Sequence, residues 1–67
     1  MSVARVTEIS ATSNVSFEDA MKVGLDRANK TLRNVKGAWV KEQQVDVAGG
    51  KISQYRVNLL VTFVLDD

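Results

Sequence analysis

Sixty-seven residues give one domain, 1–67, and nine Lys and Arg against eight Asp and Glu leave no basic excess with which to hold a nucleic acid. With no Cys and no His the chain has no disulfide, no thiolate metal site and none of the commonest transition-metal ligand. No run of about 18 apolar residues is present to span a membrane, the first residues do not read as a leader, and the cytoplasm is the expected setting.

Residues 3–9, Val-Ala-Arg-Val-Thr-Glu-Ile, mix β-branched and polar types and read as a first strand. Ser10 to Asn14 reads as a polar turn, and Ser16 as a helix N-cap whose hydroxyl serves the first-turn N–H groups, with Asp19 answering from three residues on. The apolar positions Phe17, Met21, Leu25, Ala28, Leu32 and Val35 then fall at spacings of three and four, which predicts a helix of about five turns ending at Lys36-Gly37. Gly24 inside it is expected to mark close packing on the sheet. Gly37 is expected to take a left-handed cap conformation or to open the next strand.

Residues 38–47 and 51–65 read as two further strands, and Ala48-Gly49-Gly50 between them signals a tight hairpin, because such turns need positive φ. Tyr55, Val57, Leu59, Val61, Phe63 and Leu65 alternate and are expected to face the helix. The opposite face of that strand carries Gln54, Arg56, Asn58, Leu60, Thr62 and Val64, and the matching face of the strand before it carries Gly37, Trp39, Lys41 and Gln43.

The fold class is therefore α+β, a β-α-β-β unit in which a three-stranded antiparallel sheet partly wraps one helix. A single helix covers a single face. The other face, half apolar and bearing the only Trp, must meet a partner or a ligand. A domain this small is marginally stable without a staple, and self-association is the remaining one. Trp39 either stacks a ligand or packs on a neighbouring subunit, and beside Arg56 it could also form a cation–π pair of about 1 kcal/mol. An enzyme is not expected. Without His or Cys the base would be a carboxylate, Lys or Tyr, yet Tyr55 points to the core, Asp19 is engaged in the cap, and Lys41 near Arg56 has no other group to act with.

In order, spacing and length the chain resembles the dodecins. The resemblance rests on the opening strand, Ser16-Phe17-Glu18-Asp19-Ala20, the helical Arg27-Ala28-Asn29-Lys30-Thr31-Leu32-Arg33-Asn34, then Gly50-Lys51, Tyr55-Arg56-Val57 and the closing Val61-Thr62-Phe63-Val64-Leu65. It implies a hollow homododecamer with sheet faces turned inward, a non-enzymatic store for a flavin (FMN, FAD or riboflavin) stacked between Trp rings, and in some members coenzyme A. Counted without gaps, the family's stacking Trp falls on Gly37, and its Gln that meets the flavin edge falls on Arg56. Trp39 lies two residues on, on the same face and about 6.6 Å along the strand. The ligand-binding candidates are therefore Trp39, Arg56, Gly37, Lys41 and Asn58. A branch with substituted flavin positions, which includes a calcium-binding member, is similar in its Arg after the Tyr and its Glu42-Gln43 pair. Calcium needs several converging oxygens, and the candidate donors are Glu42, Asp46 and Asp66.

Overall fold

The computed structural model describes residues 3–65. Its elements follow in the order β1 (Ala4–Ser13), α1 (Phe17–Thr31), β2 (Val35–Ala48) and β3 (Lys51–Val64). The sheet order is β1-β3-β2, with β3 antiparallel to both neighbours. The expected β-α-β-β class and antiparallel sheet are the ones found.

β2 begins earlier than residue 38, at Val35, and three further differences from the sequence reading each have a local reason. β1 does not stop at Ile9. Ser10 to Ser13 pair on with Asn58 to Tyr55, and Ala11 and Ser13 are buried against the helix. Small polar residues read as a turn when only composition is weighed, whereas here an existing partner strand supplies the ladder bonds. The helix is shorter than its stripe: it ends at Thr31, Leu32 is already extended, and the Leu32 N–H closes on the Ala28 carbonyl. Leu32 and Val35 still pack on the core, so the helical spacing continued beyond the helix that it implied. The left-handed residue after the helix is Asn34, with φ 61°, not Gly37. Asn is the non-glycine residue that tolerates this region best.

Two local expectations hold. The Ser16 hydroxyl accepts from the Asp19 N–H at 3.0 Å, although the Asp19 carboxylate turns to the Ser13 hydroxyl, 2.6 Å away, tying the helix start to the end of β1. Gly49 and Gly50 both take positive φ, 59° and 76°, as a two-residue hairpin loop requires.

The helix meets the sheet along Ala20, Gly24 and Ala28, which are buried, while Phe17, Met21 and Leu25 flank this row half-buried. The seam is therefore made of small residues, with the large apolar ones at its borders. At Gly24 a Cβ would stand 3.0 Å from that of Ala11, so the expected close approach is real. Opposite the seam, Val57, Leu59 and Val61 are the largest fully buried side chains. Tyr55 crosses Phe17 edge to face, with centroids 5.1 Å apart.

α1 lies over β1 and β3, and β2 is left outside its cover. Val40 and Val45, on the helix side of β2 by register, stay more than a third exposed. The chain measures 51 × 19 × 13 Å, with a radius of gyration of 13.8 Å; a compact chain of this length would have about 11 Å. Its accessible surface is 4920 Å², against about 4,200 Å² for a compact monomer of this mass. The exposed Val47 and Ile52 of the protruding β2–β3 hairpin contribute to the difference.

Replacing Gly24 with Leu is expected to lower stability by about 1–3 kcal/mol through overpacking against Ala11. Ser16→Ala should cost about 1 kcal/mol through the lost cap. Urea unfolding at one fixed protein concentration measures both.

Candidate functional site

Cross-strand partners share a face, so the register identifies what the side of the sheet away from α1 presents. Two bulges decide the contribution of β2. The first follows Val35 and leaves Gly37 opposite Thr62; the second falls between Val40 and Glu42 and makes Lys41 the extra residue. Trp39 consequently stands opposite Leu60, Glu42 opposite Asn58, Gln44 opposite Arg56 and Asp46 opposite Gln54. The bulge at Lys41 also overturns one sequence expectation. Gln43 pairs with Val57 and belongs to the helix side, because one inserted residue inverts the alternation beyond it.

The face divides into an apolar end and a polar end. At the apolar end Trp39, Leu60, Val6, Thr62 and Val64 lie together, with Trp39 51% exposed and Val6 46%. Gly37 adjoins them, and no atom lies within 4 Å of where its Cβ would be. The space a larger side chain would fill there is open.

At the polar end every candidate is already partnered. Lys41 Nζ reaches over to Glu8 Oε1 on β1, 3.2 Å away. Asn58 Nδ2 donates to Glu42 Oε1 at 3.1 Å. Arg56 Nη2 donates to Asp46 Oδ2 at 3.1 Å, while its buried Nε has no partner. Asp46 is thus the carboxylate that Arg56 meets within the chain. Both groups of that pair are more than a third exposed, so its contribution falls with the weak surface pairs and an incoming anion can compete for the guanidinium.

All five ligand candidates, Trp39, Arg56, Gly37, Lys41 and Asn58, lie on this one side, but they are not one cluster. Trp39 pairs with Leu60, four residues along β3 from Arg56, which separates them by about 13 Å. A cation–π pair within the chain is therefore not formed. Lys41 and Asn58 occupy the interval, so the row could touch an extended ligand at several points, its ring at one end and its charge at the other. Leu60 was read onto this face from the alternation of β3, whereas Glu8, opposite it on β1, was missed. Its signal was the pairing of β1 with β3, which the sequence of β1 alone does not disclose.

The metal candidates do not converge within one chain. Glu42 and Asp46 are opposite Asn58 and Gln54, again about 13 Å apart along the strand, and each is engaged by a different donor. Asp66 lies outside the described residues. Among the described residues no three His, Cys, Asp or Glu side chains gather as a metal group, and no helix is long and apolar enough to cross a membrane.

A groove of about 610 Å³ opens elsewhere, between β1 and α1, over Ile9, Ala11, Gly24 and Ala28. It faces the helix side and takes in none of the five candidates.

Comparison with known proteins places this architecture. The family model named Dodecin matches residues 3–66. Among solved structures, the dodecin of Streptomyces davaonensis superposes with a TM-score of 0.94 at 33% identity, over 98% of this chain and 97% of that one. A variant of the dodecin of T. thermophilus gives 0.94 at 33% identity, over 100% and 98%. The calcium dodecin of Mycobacterium tuberculosis, described as a calcium-chelating antigen with a novel calcium-binding site, gives 0.83 at 35% identity, over 96% and 91%. No curated protein sequence matches the chain.

A double-mutant cycle between Arg56→Ala and Asp46→Ala should yield a coupling of about 0.2–1 kcal/mol, the range of exposed ion pairs. Chemical denaturation of the four proteins at low salt checks it, and a coupling of several kcal/mol would mark Arg56 as fixed structure.

Proposed function

The chain belongs to the dodecin family, and we propose that it is the non-enzymatic subunit of a hollow homododecamer that binds and stores a flavin. The observation that carries this reading is Trp39. A large aromatic ring stands 51% exposed on an open sheet face, beside the exposed Val6 and opposite Leu60. Isolated in water such a patch is unfavourable, and a face-to-face assembly with a planar ligand between rings would cover it.

The residues present fit a flavin in an altered pose. Trp39 takes the stacking role that Gly37 lacks a ring to perform. Arg56, bound to an exposed carboxylate, replaces a neutral amide with a fixed fork of donors, which suits a phosphate better than a ring edge. Lys41 and Asn58 lie between the two and can orient the polar middle of the ligand. When bound, the flavin supplies a planar, electron-poor ring to stack, and the chain's task is to hold it and keep it from solvent. The Glu8–Lys41 and Asp46–Arg56 pairs keep the face nearly neutral, so the cavity does not repel an anionic ligand.

A second reading, a calcium-binding shell without flavin, draws on the M. tuberculosis calcium dodecin and on Glu42 and Asp46, whose carboxylates lie on this same face. Symmetry copies would have to bring them together, since one chain does not. Coenzyme A, with its phosphates, would also suit Arg56.

The purified protein should run at twelve times the 7.4 kDa of the chain. Flavin should quench Trp39 fluorescence, and Trp39→Ala should weaken flavin binding by about 5- to 150-fold, the value of roughly 1–3 kcal/mol for a stacked ring. FMN should bind more tightly than riboflavin, and Arg56→Gln should level the two. If Trp39 emission ignores all flavins while calcium raises the melting temperature and gives a calorimetric isotherm, the second reading replaces the first.

A further inference from the structure

Two features on different parts of the molecule have no partner among the described residues. The first is the end of the β2–β3 hairpin. β1 stops pairing with β3 at Ser13 opposite Tyr55, which is itself opposite Val45, so residues 46–54 extend past the end of β1. A third bulge, between Asp46 and Val47, leaves Ser53 as the extra residue of β3, and its hydroxyl donates to the Asp46 carbonyl at 3.1 Å. The bulge inverts the alternation once more. Val47 and its partner Ile52 come to the same side as Val45, the side that carries the core farther along the sheet. Val47 is 63% exposed and Ile52 52%. Without the bulge Ile52 would share a face with Gln54 and Arg56, away from Val47.

The second feature is the groove between β1 and α1. Its floor is apolar, Val23 on its helical wall is 50% exposed, and its other wall is β1, which ends the sheet. Unpaired backbone groups along an edge strand favour a peptide segment as occupant over an apolar small molecule. The chain's own hairpin end cannot serve. The groove residues 7–12 of β1 are paired with 61–56 of β3, about 13–30 Å along the strand from Ile52.

We propose that the groove between β1 and α1 receives the hairpin end of a second copy, with Val45, Val47 and Ile52 seated on its apolar floor. The inference rests on the self-assembling shell described above and names the surfaces that meet in it. A contact between two different patches is heterologous, and it closes into rings when the rotation between copies permits. It explains both the excess surface and the elongated shape, since the protruding arm of each copy is what the next one covers. The two bulges then have a purpose: the one at Lys41 sets Val45 and Val47, and the one at Ser53 sets Ile52, toward the neighbour.

The absence of Cys allows a direct test. A chain carrying Val23→Cys and Val47→Cys, treated with a short thiol-specific bifunctional reagent, is expected to give a ladder extending beyond dimers on a denaturing gel. Each single variant should give little. Val47→Glu should raise the protein concentration at which the assembly dissociates by about tenfold or more, with circular dichroism unchanged because the residue is exposed in the subunit. If the unsubstituted chain is oligomeric, yet the double variant forms no ladder and Val47→Glu leaves dissociation unmoved, this pairing of surfaces is wrong while the shell stands. Dimers formed efficiently by Val47→Cys alone would show hairpin ends meeting each other and would also overturn it. An unsubstituted chain that sediments as a 7.4 kDa monomer would remove both the shell and this interface.

Discussion

The packing of one helix on two of three strands governs the rest of this structure. Ala20, Gly24 and Ala28 let α1 approach β1 so closely that a Cβ on Gly24 would press on Ala11. That closeness gives dense contact with Val57, Leu59 and Val61, but it also confines the helix to the β1–β3 side. β2 then projects as the outer half of a long hairpin, its apolar residues exposed on both faces. A chain with so few fully buried side chains has little margin of its own.

The two faces of β2 serve different ends because bulges change its alternation. Lys41 and Ser53 are the inserted residues on either side of the polar row. Between them Glu42, Gln44 and Asp46 join Asn58 and Arg56 on the face turned from the helix. Beyond Ser53 the hairpin end presents Val47 and Ile52 the other way. A strictly alternating hairpin would have placed those two among the charges. The bulges thus separate a polar row from an apolar one on a single pair of strands.

The face turned from the helix sets a ring beside open space. Gly37 leaves open space, and Trp39 offers a ring two residues away on the same face. Asp46 holds the Arg56 charge in place with only weak coupling, since both groups reach solvent. The face is suited to a ring at one end and an anionic group at the other. Its geometry differs from a compact pocket in which one side chain stacks and its neighbour reads the ring edge.

Much of this was legible in the residues. The hairpin turn followed from Gly49-Gly50, the core face of β3 from its unbroken alternation, the N-cap from Ser16, and the close approach at Gly24 from its place in a helical stripe. These depend on local backbone preferences and on a period that a few neighbouring residues set. Hidden were the continuation of β1 through Ser10–Ser13, the early end of α1, the partners of Arg56 and Lys41, and the inversion at Gln43 and Ile52. Each depends on a residue far away in the chain. β3 supplies the ladder that keeps small polar residues in a strand, the core draws Leu32 and Val35 inward without helical bonds, and a bulge is defined only by the register of two strands together. The sequence by itself determined which surfaces are apolar and that one helix cannot cover them. The tertiary structure alone decided which of those surfaces face the same way, because facing is a property of paired strands and not of either strand alone.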